Sequence, residues 1–237
     1  MQTTANKTFD MNHVDVHYLE ATHGYFPELV RILVTLSSIG LSLEVHQWRT
    51  VKPYGSSDYL TLAGKGHVSG IEISFVVGPI YQRLLSPSKR MPKYLKAIKR
   101  PIKRPIDHSV SHPLQVSKVQ PIVVRLVADA FLSYYARHVE AVESEWGKVD
   151  KGNWPTVWQF GRVIRNAIAH DGKIFFESRK APPVHWLTLK YSYSDNNLKR
   201  QLLYDEITGV ELILLMEDMD SVLRAARDTN AANETFS

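Results

Sequence analysis

The chain has 237 residues, of which 44% are hydrophobic and 22% charged, and this length is sufficient for one large domain with its own hydrophobic core. It contains no cysteine, which excludes disulfide bonds, thiolate zinc sites and cysteine nucleophiles and is typical of a cytoplasmic protein. The net charge of +5 favours an anionic partner, and nucleic acid is the leading candidate.

The N-terminal part of the chain is predicted to contain one core helix and one short β element. Residues 1–12 are polar and are expected to be flexible. Apolar residues recur with helical periodicity over 26–50, but polar side chains interrupt them too often for a membrane span, so no membrane association is expected. The stretch 51–86 is ambiguous, although apolar and polar residues alternate over 71–75, which favours a strand or a hairpin.

A basic, proline-rich segment occupies 87–113, and no acidic residue appears in it before Asp107. We interpret it as an insert that connects the core helices. A track for RNA phosphates and a solvated linker are equally compatible with its composition. Tyr94 is the only aromatic residue of its basic part, so the segment offers a single ring on which a nucleic-acid base could stack. The candidate RNA-binding residues of this insert are Lys89, Arg90, Lys93, Lys96, Lys99, Arg100, Lys103 and Arg104.

The rest of the chain is predicted to be mainly helical, with a small β-hairpin before the last helix. Residues 13–227 are accordingly interpreted as one domain, followed by a flexible tail at 228–237. The predicted elements are helices at 121–146, 156–170 and 208–227 and strands at 174–177 and 186–192.

The helix at 156–170 separates an apolar face from a polar one. Arg162, Asn166 and His170 follow one another at intervals of four residues and therefore form one ridge, which Arg165 flanks. Gly172 is well placed to end the helix in a left-handed conformation. Two guanidinium groups, an amide and an imidazole on one surface suit a phosphodiester, because arginine matches phosphate oxygens and histidine exchanges protons near neutral pH.

The motif Arg165-Asn166-x-x-x-His170 resembles the signature of the HEPN superfamily, in which a histidine follows an arginine after four to six intervening residues. The resemblance implies a mainly α fold, a HEPN-like helical bundle with a small β-hairpin before the last helix. It also implies an endoribonuclease that needs neither metal nor cofactor, and a homodimer whose two motifs face one cleft. A toxin or defence effector, with an antitoxin protein as a partner, is the biological role that this family suggests.

The resemblance also implies a role for each motif residue. His170 would act as general acid or base on the RNA 2′-hydroxyl and the leaving oxygen. Arg165 would hold the scissile phosphate and stabilise its developing charge, and Asn166 would orient either the histidine or the phosphate. Arg162 lies outside the family motif, and we add it because it shares the polar ridge.

Two other interpretations remain open. The chain could be a non-catalytic HEPN dimer that binds RNA, a nucleotide or a protein partner, or the motif could be an ordinary solvated helix end. The loose pattern also occurs at Arg179 and His185, but a Pro-Pro pair between them prevents the required helix. No metal site is predicted, because the histidine pairs His13–His17 and His108–His112 lack a third ligand on a firm scaffold.

Overall fold

The first part of the described chain is rich in strands and the second part is rich in helices. The computed structural model describes residues 15–48, 59–62, 68–76, 80, 93–102, 120–170, 172–197 and 202–235. In chain order the elements are β1 (Asp15–Glu20), α1 (Phe26–Trp48), β2 (Tyr59–Leu62), β3 (Ile71–Val76), β4 (Tyr94–Pro101), α2 (Gln120–Trp146), α3 (Thr156–Ala169), β5 (Val184–Trp186), β6 (Leu189–Tyr191), α4 (Leu202–Asp205) and α5 (Gly209–Thr235).

The prediction of a mainly helical, HEPN-like bundle is wrong. The structure is a mixed α/β fold with a four-stranded antiparallel sheet in the order β1-β4-β3-β2. Of the four strands of this sheet, the sequence predicted only one, the strand or hairpin at 71–75, and it is confirmed as β3. The other three strands were missed because they are short or carry charged side chains, so their alternation of apolar and polar residues is weak.

The basic segment provides the clearest correction. We interpreted 87–113 as a connecting insert, but its residues 94–101 form β4, which lies between β1 and β3 in the sheet. Leu95 and Ala97 are buried on one face of this strand, and the charged side chain of Lys96 lies between them in the sequence. The lysines made the alternation of buried and exposed residues hard to recognise in the sequence. Hydrogen bonds from β1 and β3, on either side, stabilise this segment as a strand.

Helix α5 is the central element of the helical layer, because α2, α3 and the sheet strand β3 all pack against it. Leu215, Met216 and Met219 of α5 are fully buried. The sheet is joined to α5 by polar contacts as well: the Lys99 Nζ lies 2.5 Å from Glu217 Oε2, and the Ser69 hydroxyl donates to Glu211 Oε1 at 2.8 Å. The polar contacts fix how the sheet sits on the helix that also supports α3.

A two-stranded hairpin, β5–β6, precedes the last helices. Its first strand begins at 184, and the strand predicted at 174–177 is not formed. Helix α5 continues to Thr235, beyond the predicted end at 227. In the part of the chain that the structure describes, no helix has both the length and the apolar character that crossing a bilayer requires.

Candidate functional site

Helix α3 positions the candidate site because its apolar side is anchored in the core. Phe160, Ile164 and Ala167 are fully buried. Gly161 allows α5 to approach closely, since a Cβ on this residue would lie 2.7 Å from the Met219 Sδ. Helical periodicity puts Trp158 on the polar side of α3. In the structure it is fully buried, and its Nε1 donates a hydrogen bond to the Met219 carbonyl at 3.0 Å. The site therefore occupies a narrower strip of α3 than the periodicity predicted.

The C-terminal end of α3 is closed by the predicted glycine. Gly172 has a φ of 80°, and its N–H donates to the Ala167 carbonyl at 2.7 Å. The His170 N–H donates to the carbonyls of Asn166 and Ala167. The role of Gly172 as a left-handed terminator is confirmed. These hydrogen bonds fix the backbone of His170 at the last turn of α3, and the opposite side of this helix is packed in the core.

The structure brings Arg165, Asn166 and His170 to the same helix end but gives them different environments. Arg165 and His170 are exposed, whereas Asn166 is only 6% exposed. The Asn166 Oδ1 accepts a hydrogen bond from Arg165 Nη1 at 3.2 Å, and the His170 ring lies 4.2 Å from the ring of Phe175. Asn166 therefore positions the guanidinium of Arg165, and Phe175 supports the imidazole from one side.

Arg162 is half-buried beside this group, and its Nε is buried without a hydrogen-bond partner. Among the described residues, neither Arg162 nor Arg165 has a carboxylate within ion-pair distance. A buried guanidinium N–H that lacks an acceptor is costly, so a bound anion that satisfied it would be strongly favoured.

Tyr135 of α2 lies against α3 beside the candidate site, and sequence reasoning missed it: its ring centroid is 5.7 Å from that of Trp158. Both Arg162 and Arg165 are close enough to act electrostatically on its phenol. Burial raises the pKa of Tyr135 to about 12, and the two arginines partly oppose this increase. The apolar periodicity of α2 includes the neighbouring Tyr134 and does not include Tyr135. No local signal indicated that Tyr135 would meet α3, because that contact depends on how the two helices pack.

We expect the Tyr135→Phe variant to lose less stability at alkaline pH than the wild type. Between pH 10 and about pH 12 the folded chain keeps the phenolic proton of Tyr135, whereas the unfolded chain, in which the pKa of tyrosine is near 10, has released it. Folding stability therefore decreases as the pH rises above 10. For Tyr135 alone this decrease amounts to about 1.4 kcal/mol at pH 11. Urea unfolding of both proteins at pH 8 and pH 11 measures it, and an identical pH dependence in both would contradict the assigned environment.

The basic residues of the predicted RNA arm do not share one surface. Lys93, Lys96 and Arg100 are on or beside the strand β4, with Lys93 and Arg100 exposed and Lys96 half-buried. Lys99 faces the helical layer and pairs with Glu217. The remaining candidates, Lys89, Arg90, Lys103 and Arg104, lie outside the described residues.

A second polar cluster lies inside the fold, between α1, α2 and α5. Glu28 pairs with Arg137, and Asp220 accepts a hydrogen bond from the Gly24 N–H at 3.0 Å. Burial is the main cause that raises the pKa of Tyr134 and lowers that of His138 in this cluster. No group of three metal-ligating side chains was found in the described ranges. With Glu28 and Tyr134 almost fully buried, the cluster offers no open surface to a large substrate.

Comparison of the chain with protein families, with curated proteins and with solved structures finds no match. The family resemblance of the motif therefore stays a prediction. The side chains at the end of α3 and their chemistry are the basis of the function proposed below.

Proposed function

We propose that this chain is a metal-independent endoribonuclease that uses Arg165 and His170 at the C-terminal end of α3. One observation carries the proposal: two arginines without carboxylate partners among the described residues share a helix end with an exposed histidine. The exposed guanidinium of Arg165, the half-buried one of Arg162 and the imidazole of His170 supply what the cleavage of a phosphodiester needs, namely positive charge and a group that transfers protons. The resemblance of Arg165-Asn166-x-x-x-His170 to the HEPN motif supports the same chemistry.

The proposed reaction is an internal transfer at the RNA backbone. The 2′-oxygen attacks the adjacent phosphorus, its proton passes to a base, and the bond to the 5′-oxygen breaks as that oxygen takes up a proton. His170 serves as the base or the acid. Arg165, held by Asn166, stabilises the negative charge that develops on the phosphate, and Arg162 adds a second guanidinium. These guanidinium groups supply the positive charge that a metal ion supplies in other nucleases.

The reaction also gives a reason for a homodimer. A single imidazole cannot remove the proton of the nucleophile and protonate the leaving oxygen in the same step. We therefore propose that the His170 of a second copy performs the other half, which is the arrangement that the motif resemblance implies. The role as a toxin or defence effector, and an antitoxin partner, remain predictions from that resemblance alone.

A substrate series tests the proposed function. Wild-type protein would be incubated in EDTA with a single-stranded RNA, with the same RNA carrying a 2′-deoxy sugar at each mapped cleavage position, and with the matching DNA. We expect cleavage of the RNA alone, with a 2′,3′-cyclic phosphate on the upstream product, because the 2′-hydroxyl is the nucleophile.

Two results would contradict the proposal. The first is cleavage that appears only when Mg²⁺ replaces EDTA. The second is equal cleavage of the DNA. If the RNA is bound but stays intact, the non-catalytic binding module becomes the better description of the chain.

A further inference from the structure

The face of the strands β1 and β4 that points away from the core carries an unusual set of side chains. The opposite face contributes Leu19, Leu95 and Ala97 to the core. Because side chains alternate along strands, the residues between these point outward. We call this surface the outer face. Its members are Val16, Tyr18 and Glu20 of β1 and Tyr94, Lys96 and Arg100 of β4, and Ile98 on the same side of β4 is buried.

Two tyrosines form an exposed aromatic pair on the outer face. Tyr18 is 57% exposed and Tyr94 is 58% exposed. Their ring centroids lie 5.8 Å apart with an interplanar angle of 72°, so each ring keeps at least one face that the other does not cover. The basic segment contains only one of these rings, and the pairing of β1 with β4 supplies the second. Aromatic rings left in contact with water on a sheet are an available surface for another planar group.

The outer face also supplies positive charge next to the aromatic pair. Lys96 lies directly opposite Tyr18 in the strand register, and Arg100 follows on the same strand. Within the described part of the chain, neither cation has a carboxylate at ion-pair distance. Two acidic residues are near: Glu20 is paired with Tyr94 in the register, and Glu72 with Arg100. Lys96 therefore places a positive charge directly beside Tyr18, and it lies two residues from Tyr94 on the same side of β4.

We propose that the outer face binds single-stranded RNA, with bases stacked on Tyr18 and Tyr94 and the backbone phosphates near Lys96 and Arg100. Stacking needs unpaired bases, which excludes duplexes, and the lysine and arginine match the charge of the backbone. The choice of RNA over other single strands rests on the proposed function. The outer face then captures the strand that the end of α3 cuts.

The test measures binding separately from cleavage. A fluorescein-labelled single-stranded RNA is titrated in EDTA with the His170→Ala protein, in which the probe should stay intact, and anisotropy reports the dissociation constant. In this background Tyr18→Thr and Tyr94→Thr are expected to weaken binding by roughly 10-fold to 100-fold each, because each removes one stacking surface. Threonine keeps the strand preference, and both positions are more than half exposed, so the fold should persist.

Conservative and charge variants distinguish stacking from other effects. Tyr18→Phe and Tyr94→Phe should bind RNA like the parent protein, since phenylalanine keeps the ring. Lys96→Gln should reduce the slope of log Kd against log salt by about 0.7, as expected for one lost contact to a single-stranded phosphate. The matched control is Lys190→Gln, an exposed lysine on β6 of the other sheet, which should leave both affinity and slope unchanged.

The outcomes separate the two proposals. If the threonine variants bind RNA as tightly as the parent, the outer face is not the binding surface, whether or not the wild type cleaves RNA. If the threonine variants lose binding but the wild type leaves RNA intact, the outer face is supported and the proposed cleavage is not. Equal affinity for the matching single-stranded DNA would overturn the choice of RNA.

Discussion

Replacement of His170 by alanine is expected to reduce the rate of RNA cleavage by roughly 100-fold to 10,000-fold, the range that positioned acid–base groups contribute. Arg165→Ala should lower the rate by roughly 100-fold to 1,000-fold, because it removes a donor that stabilises charge in the transition state. Arg165→Lys should recover little of this loss, since an ammonium group cannot reproduce the planar, two-pronged donor geometry of a guanidinium. Initial rates on a labelled RNA in EDTA measure all three effects.

The chain provides its own control for this experiment. Arg179 and His185 match the same loose pattern, both are exposed, and neither lies in a helix. Arg179→Ala and His185→Ala should therefore cleave RNA at the wild-type rate. If these variants are inactive and His170→Ala is not, the assignment of the site to α3 fails.

The loss of cleavage should not be caused by unfolding. His170 and Arg165 are exposed, so their replacement by alanine is expected to change the free energy of unfolding by no more than about 0.5 kcal/mol. Thermal unfolding followed by circular dichroism verifies this. A large decrease in melting temperature would mean that the activity measurements report on the fold and carry no information on catalysis.

Trp158→Ala is expected to destabilise the protein by about 3–5 kcal/mol, the usual cost of truncating a large buried aromatic side chain. The indole is fully buried, it stacks on Tyr134 at 6.1 Å, and its N–H satisfies the Met219 carbonyl of α5. Removing it leaves a cavity where α3 meets α5 and deletes the hydrogen bond that joins the two helices. Urea unfolding measured by far-ultraviolet circular dichroism gives the change in free energy.

Two further variants bracket this result. Trp158→Phe keeps most of the aromatic packing but loses the hydrogen bond, so it should cost about 1–3 kcal/mol. Val149→Ala changes a side chain that is 96% exposed and should shift the stability by less than about 0.5 kcal/mol. A Trp158→Ala protein as stable as Val149→Ala would contradict the packing of α3 on α5.

The helices and the position of the candidate motif could be predicted because their signals are local. The apolar periodicity of α1, α2 and α3 is contained within each segment, and Gly172 marks the end of α3 by its own backbone preference. The exposure of Arg165 and His170 follows from the same periodicity.

The sheet and the environments within the site were decided by tertiary structure. β4 becomes a strand because β1 and β3 pair with it, and Tyr18 meets Tyr94 only through a register that joins residues far apart in the sequence. Asn166 lies on the polar ridge but is buried, because neighbouring elements cover it.

The sequence by itself thus determined that α3 exposes Arg165 and His170 at its end, since the spacing of residues along a helix fixes the direction of each side chain. Only the tertiary structure decided that Trp158 is part of the core and that Tyr135 stands beside two arginines. It also decided that a basic segment is an internal strand. The physical reason is that burial, and the pairing of strands and of helices, depend on contacts between segments, which no local pattern contains.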